Sequence, residues 1–224
     1  SDLYISIFAL FIELQKKANT KLALSQKKLL ATEEDINPNR KFADNTVLQF
    51  ISSNKMLRVV IEKRKLNFWD IDFEYVDVIY KAILESALYK DYMSKGPSDL
   101  KQDKDFIIDI YTDIIAPNEK LYDYFEDKQI TWVNDIPVVN TAIVKKITKL
   151  KLTKPESFLI PELYKDEDDK VFAKDLFYKT LLNQTKFIEE IATKTTNWDT
   201  DRLASLDGVL LQMALCEFQK FPSI

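Results

Sequence analysis

Five lysines, Lys145, Lys146, Lys149, Lys151 and Lys154, fall in a stretch that contains no acid at all. Lys145 and Lys149 lie one helical turn apart. Such a run can neutralise the phosphates of a nucleic acid, with an affinity that falls steeply with salt. It can equally be a set of solvated cations at the C-terminal end of a helix, where the dipole favours positive charge. No aromatic residue is interleaved among the lysines for base stacking. The sequence leaves both readings open.

Other chemistry is sparse. Asp105, Asp109 and Asp113 share one helical face, with Asp103 nearby. Paired carboxylates can do acid–base work, but an exposed helix face explains them as well. The acidic run Asp166–Asp169 lacks the alternating ligands, turn glycine and terminal glutamate of a calcium loop, and it fits a helix N-terminus. Cys216 sits among Met213, Leu215 and Phe218 as a small hydrophobe. The chain has no histidine, which removes Ser-His-Asp, Cys-His and histidine–metal chemistry. One cysteine can form neither an internal disulfide nor a thiolate cage, as suits a reducing cytoplasm. No cofactor is expected.

The elements that must position these residues are helical. Two glycines in 224 residues are too few for the turns of a β-sandwich or a glycine-rich nucleotide-binding fold. Apolar residues recur at three- and four-residue spacing, so an all-α, multi-helix bundle is expected. A long helix is predicted from residue 2 to about residue 31. Proline and asparagine then punctuate the chain. Helices are predicted to start at Asp44 or Asn45, and N-caps at Asp72, at Ser98 or Asp99, at Asn118 and at Asn134 or Asp135. Gly96-Pro97 reads as a helix stop with the glycine in the left-handed region. A single helix is expected from Asp166 through Ile191. The last helix is predicted to start at a capping box of Thr196 and Asp199 and to run to about Phe221. Being apolar nearly all round, it is expected to be buried on several sides, with Gly208 admitting a neighbouring backbone. No run is long and apolar enough to suggest a membrane span.

Charge is segregated. Residues 1–66 carry +5, 67–144 carry −9, 145–154 carry +5 and 155–224 carry −5, for a total of −4. An acidic chain is not a general nucleic-acid binder, but this distribution permits a local basic surface.

One region is recognisable. Val171-Phe172 through Ile188 and Ile191 is followed by Trp198-Asp199-Thr200-Asp201-Arg202-Leu203. Asp207, Leu210, Ala214, Glu217 and Pro222-Ser223-Ile224 complete the pattern. It resembles the transcription antitermination factor NusB family. Residues 35–42 and 89–93 look similar to a longer form with an extra N-terminal helical region. On this reading residues 1–163 are the extension and residues 164–224 the NusB-like core.

The resemblance implies an all-helical RNA-binding adaptor and no catalysis. Its implied partners are a single-stranded leader element of ribosomal RNA transcripts, ribosomal protein S10 and the transcription elongation complex, in the cytoplasm. Arg202, Asp207 and Glu217 match the partner-facing region. Family members also have an arginine-rich first helix and two helices after the Ile-Pro-like exit, neither of which is in this sequence. Both ends are therefore expected to be missing, and dimerisation is one way to cover the last helix. The alternatives are a helical protein-interaction scaffold or the NusB-like module of an rRNA methyltransferase.

Overall fold

The computed structural model describes residues 2–30, 32–194 and 205–221. It is helical throughout, with no strand among the described residues. The chain divides into two compact units, Ser1–Pro161 and Glu162–Ile224.

The first unit is built around α1 (Asp2–Ser25). Its N-terminal half is apolar on every side, and every residue from Leu3 to Ile12 is buried. A helix of that composition is stable only at the centre of a bundle. Around it lie α3 (Thr46–Ser53), α4 (Lys55–Lys63), α5 (Phe73–Glu85) and α9 (Trp132–Thr148). A single turn, α2 (Glu33–Ile36), precedes them. It is closed by a capping box between Thr32 and Asp35 in what the sequence suggests is loop. The α6 (Ala87–Ser94), α7 (Leu100–Ile110) and α8 (Glu119–Lys128) helices complete the unit. Residues Tyr111–Ile115 continue α7 as a π-turn.

Side-chain caps explain most of the breaks. Asn45, Asn54, Ser86, Asp99 and Asn118 each accept a backbone N–H at the start of the following helix. Asn54 does more. Its Nδ2 donates to the Glu156 carbonyl at 2.9 Å, tying α4 to a 3₁₀ turn at Glu156–Leu159. Asn54→Ala removes both bonds and is expected to lower stability by about 1–2 kcal/mol in urea unfolding.

Several local expectations need correction. The first helix ends at Ser25, where Gln26, Lys27 and Lys28 follow without an apolar repeat. Asp72 does not cap α5, because its carboxylate accepts from the Tyr124 hydroxyl at 2.7 Å and from Lys128 at 2.8 Å. These two donors hold its carboxyl below the usual value. Neither Asn134 nor Asp135 caps α9, which starts at Trp132 with Pro137 inside it. Gly96 has no positive φ.

Aromatic rings close one end of this unit. Trp69 lies 4.8 Å from Phe68 and 5.3 Å from Tyr124, ring centre to ring centre. Its indole N–H donates to the Ser6 carbonyl at 2.9 Å, an acceptor otherwise committed to α1. Asp103, by contrast, is a buried acid on α7. Only 2% of it is exposed, although the sequence suggests an outward face.

The second unit holds α10 (Glu167–Leu182), α11 (Gln184–Lys194) and α12 (Ser205–Lys220). Asp166 caps α10 through the Asp169 amide. The single helix expected there is broken at Asn183, whose Nδ2 bonds back to the Lys179 carbonyl. Backbone competition of this kind favours a helix end. Leu176, Phe187 and Cys216 form the buried centre.

The α12 helix is not buried on several sides. Leu206, Val209, Leu210 and Phe218 are exposed. Gly208 admits no neighbouring backbone among the described residues either: none of their atoms lies within 4 Å of where a Cβ would stand. Gly208→Ala is therefore expected to raise stability by about 0.5–1 kcal/mol, visible as a higher melting temperature by circular dichroism. The predicted capping box at Thr196 and Asp199 lies outside the described residues.

Candidate nucleic-acid interface

The lysine cluster is assembled by the end of α9 and the chain that leaves it. Ile143, Ile147 and Leu150 are fully buried on one side. That anchoring leaves Lys145 and Lys149 exposed on the other, with Lys146 half-buried at the boundary. Helix geometry dictates this, since residues two positions from a buried stripe face away from it. The last carbonyls of α9 would be orphaned at the helix end. Lys104 of α7 satisfies the last of them, donating from Nζ to Thr148 at 3.0 Å, and also donates to Leu150, just past the helix, at 3.4 Å.

Beyond Leu150 the chain runs exposed through Lys151 and Lys154 into the 3₁₀ turn. Leu159, fully buried, and the Asn54 bond to Glu156 fix that turn. Phe158 is thereby held partly buried beside the lysines. Lys146 Nζ lies 4.8 Å and Lys154 Nζ 5.3 Å from its ring centre. The cluster, residues 145–154, contains no aromatic. Phe158 lies just past it, and only the turn brings it back. Leu152, half-exposed, lines an open groove of about 580 Å³ with Thr46, Gln49, Phe50, Ser52 and Ser53.

Lys145, Lys149, Lys151 and Lys154 make no ion pair with any described residue. Several cations elsewhere do pair: Lys16 with Glu13 and Asp70, Arg40 with Asp44, Arg64 with Asp2, Lys128 with Asp72. The cluster is thus a local positive field on an acidic chain, and such a field attracts polyanions.

The other candidates separate cleanly. Asp105, Asp109 and Asp113 are exposed on one face of α7 and the turn that continues it. Partial burial raises the Asp109 carboxyl above its usual value, and the charges of Asp113 and then Asp105 add to this. Asp105 and Asp109 share an open cleft with Lys41, Tyr92 and Lys95, where Lys41 donates to the Tyr92 and Lys95 carbonyls and Lys95 pairs with Asp91. Asp103 is structural: its carboxylate accepts from Tyr92 Oη at 2.6 Å, from Ser98 Oγ and from the Thr46 amide at 2.8 Å. Cys216 is fully buried. No group of histidine, cysteine and acidic residues fit to hold a metal occurs among the described residues. No described helix is long and apolar enough to cross a membrane.

On α12, Asp207 is exposed and Glu217 half-buried, and neither makes an ion pair with a described residue. They lie ten residues apart on the same helix. Arg202 lies outside the described residues.

Residues 146–224 match the model of the NusB family. This segment is a NusB family domain. No curated protein and no solved structure matches the chain. The NusB match begins inside α9 and takes in Lys146, Lys149, Lys151, Lys154 and Phe158 as well as α10 to α12, with Lys145 immediately before it. The residues before it form an extra N-terminal helical region. A NusB family domain implies an RNA-binding function of the NusB type.

Proposed function

We propose that the chain is an RNA-binding adaptor in transcription antitermination. It acts with ribosomal protein S10 on single-stranded leader RNA of ribosomal RNA transcripts, and it is not itself an enzyme. The observation that carries this reading is the acid-free lysine cluster at the start of the NusB match, four of whose members are exposed. Lys145, Lys146, Lys149, Lys151 and Lys154 contact phosphates. Arg202, Asp207 and Glu217 face the protein partner. A binding role is supported by the commitment of the buried Asp103 and Cys216 to packing and by the engagement of Lys41 and Lys95, beside the exposed acids, with other groups.

The test is a titration of labelled leader RNA with the whole chain, with and without S10, over a range of salt. Binding is expected to weaken steeply with salt and to tighten when S10 is added. Equal affinity for a scrambled RNA, unaffected by S10, would sink the proposal. Tight binding to ribosomal RNA fragments with no response to S10 would instead favour the methyltransferase-module reading.

A further inference from the structure

The lysine cluster has a feature that phosphate neutralisation does not use. Phe158 is clamped by its 3₁₀ turn, its neighbour Leu159 is fully buried, and the Asn54 side chain holds the turn's first carbonyl. A ring so held is a rigid surface. Two ammonium groups sit against it, 4.8 and 5.3 Å from its centre. Of these, Lys154 is exposed and makes no ion pair with a described residue, and the ring is the contact its ammonium makes among them.

We infer that Phe158 is a base-stacking platform, so that the cluster takes an unpaired nucleotide with its base on the ring and its phosphates on the lysines. The inference rests on the reading of the cluster as an RNA interface. A solvated ammonium over an aromatic face is a weak contact at an exposed site. A base stacked on the same face is held more strongly. A nucleotide therefore displaces Lys154 from the ring and offers it a phosphate in exchange. The bases of a duplex are stacked on each other and cannot reach the ring. The site then distinguishes single strands from duplexes by the aromatic, while the lysines serve both.

The experiment uses the whole chain and two probes: a short single-stranded oligonucleotide and a duplex of matched phosphate number. Phe158→Leu is expected to weaken single-strand binding roughly tenfold. It leaves the salt dependence and the duplex affinity unchanged, and Phe158→Tyr restores single-strand binding. Parent-like single-strand affinity in Phe158→Leu overturns the stacking role. If Lys145, Lys149, Lys151 and Lys154 replaced together by alanine still weaken both probes, the phosphate reading survives that loss. If the lysine variant binds both probes like the parent, the phosphate reading falls and the stacking inference with it. A measurement on the unaltered protein guards against a misfolded variant. The single strand is expected to shift the Phe158 ring resonances upfield and the duplex to leave them in place. Identical spectra with both probes overturn the inference.

Discussion

Replacing Asp103 by alanine is expected to lower stability by about 3–5 kcal/mol. The carboxylate has almost no exposure, and three donors converge on it: Tyr92 Oη, Ser98 Oγ and the Thr46 amide. Asn45 joins the network by donating from Nδ2 to Tyr92 Oη at 3.0 Å and to the Asp103 carbonyl at 3.3 Å. The same Asn45 caps α3 through its Oδ1. Alanine would strand several buried donors at once, each at a cost of about 1–3 kcal/mol, partly offset by relaxation. Against a typical total of about 5–15 kcal/mol, the loss is large. Asp103→Asn keeps the shape, loses the charge and should fall between alanine and the parent. Urea unfolding of the three proteins checks the order.

The same group sets an acid limit. Burial pushes its carboxyl up, but the bonds from Ser98, Thr46 and Tyr92 together outweigh that, and the value lies below the ordinary one. A lowered folded value means that the stabilisation is complete above the unfolded value of about 3.9 and disappears as the pH falls through the folded value. The stability gap between the parent and Asp103→Asn is therefore expected to be constant near neutrality and to close below about pH 4. A gap that closes at pH 6 instead would contradict the assignment.

The second large effect concerns the lysines. Alanine at Lys145, Lys149, Lys151 and Lys154 together is expected to reduce RNA affinity on the order of 100-fold near 0.1 M salt. For a single strand each phosphate contact contributes about 0.7 to the slope of log affinity against log salt, so the slope is expected to fall by about 3. The four side chains are exposed and make no ion pair, so the variant is expected to fold and melt much like the parent. An unchanged slope would mean that the cluster is no more than a solvated helix end.

Much of the helical layout was legible in the sequence because its signals are local. Asn45, Asp99, Asn118 and Asp166 are caps that bond within three residues of themselves. The apolar spacing of α5 and α7 follows from the helix repeat alone. The errors came where a side chain found a distant partner. Asp72 faces away from its own helix because Tyr124 and Lys128 claim it. Asp103 lies among acids that are exposed, yet it turns inward because Tyr92 and Thr46 offer donors there. Gly208 invited an argument from close approach that open space around it removes.

The candidate site divides in the same way. The all-helical class, the segregation of charge, the acid-free lysine run and the resemblance that the family match supports at residues 146–224 are all written in the linear order of residues. These depend on composition and on residues close together in the chain. Packing adds that Asp103 is a core acid, that α12 exposes an apolar side, that Lys145, Lys149, Lys151 and Lys154 make no ion pair with a described residue, and that Phe158 returns to lie against Lys146 and Lys154. Each of these is a pairing across a turn or between helices. A sequence lists the groups available for such pairings, but burial and hydrogen-bond satisfaction choose among them only once the chain has packed.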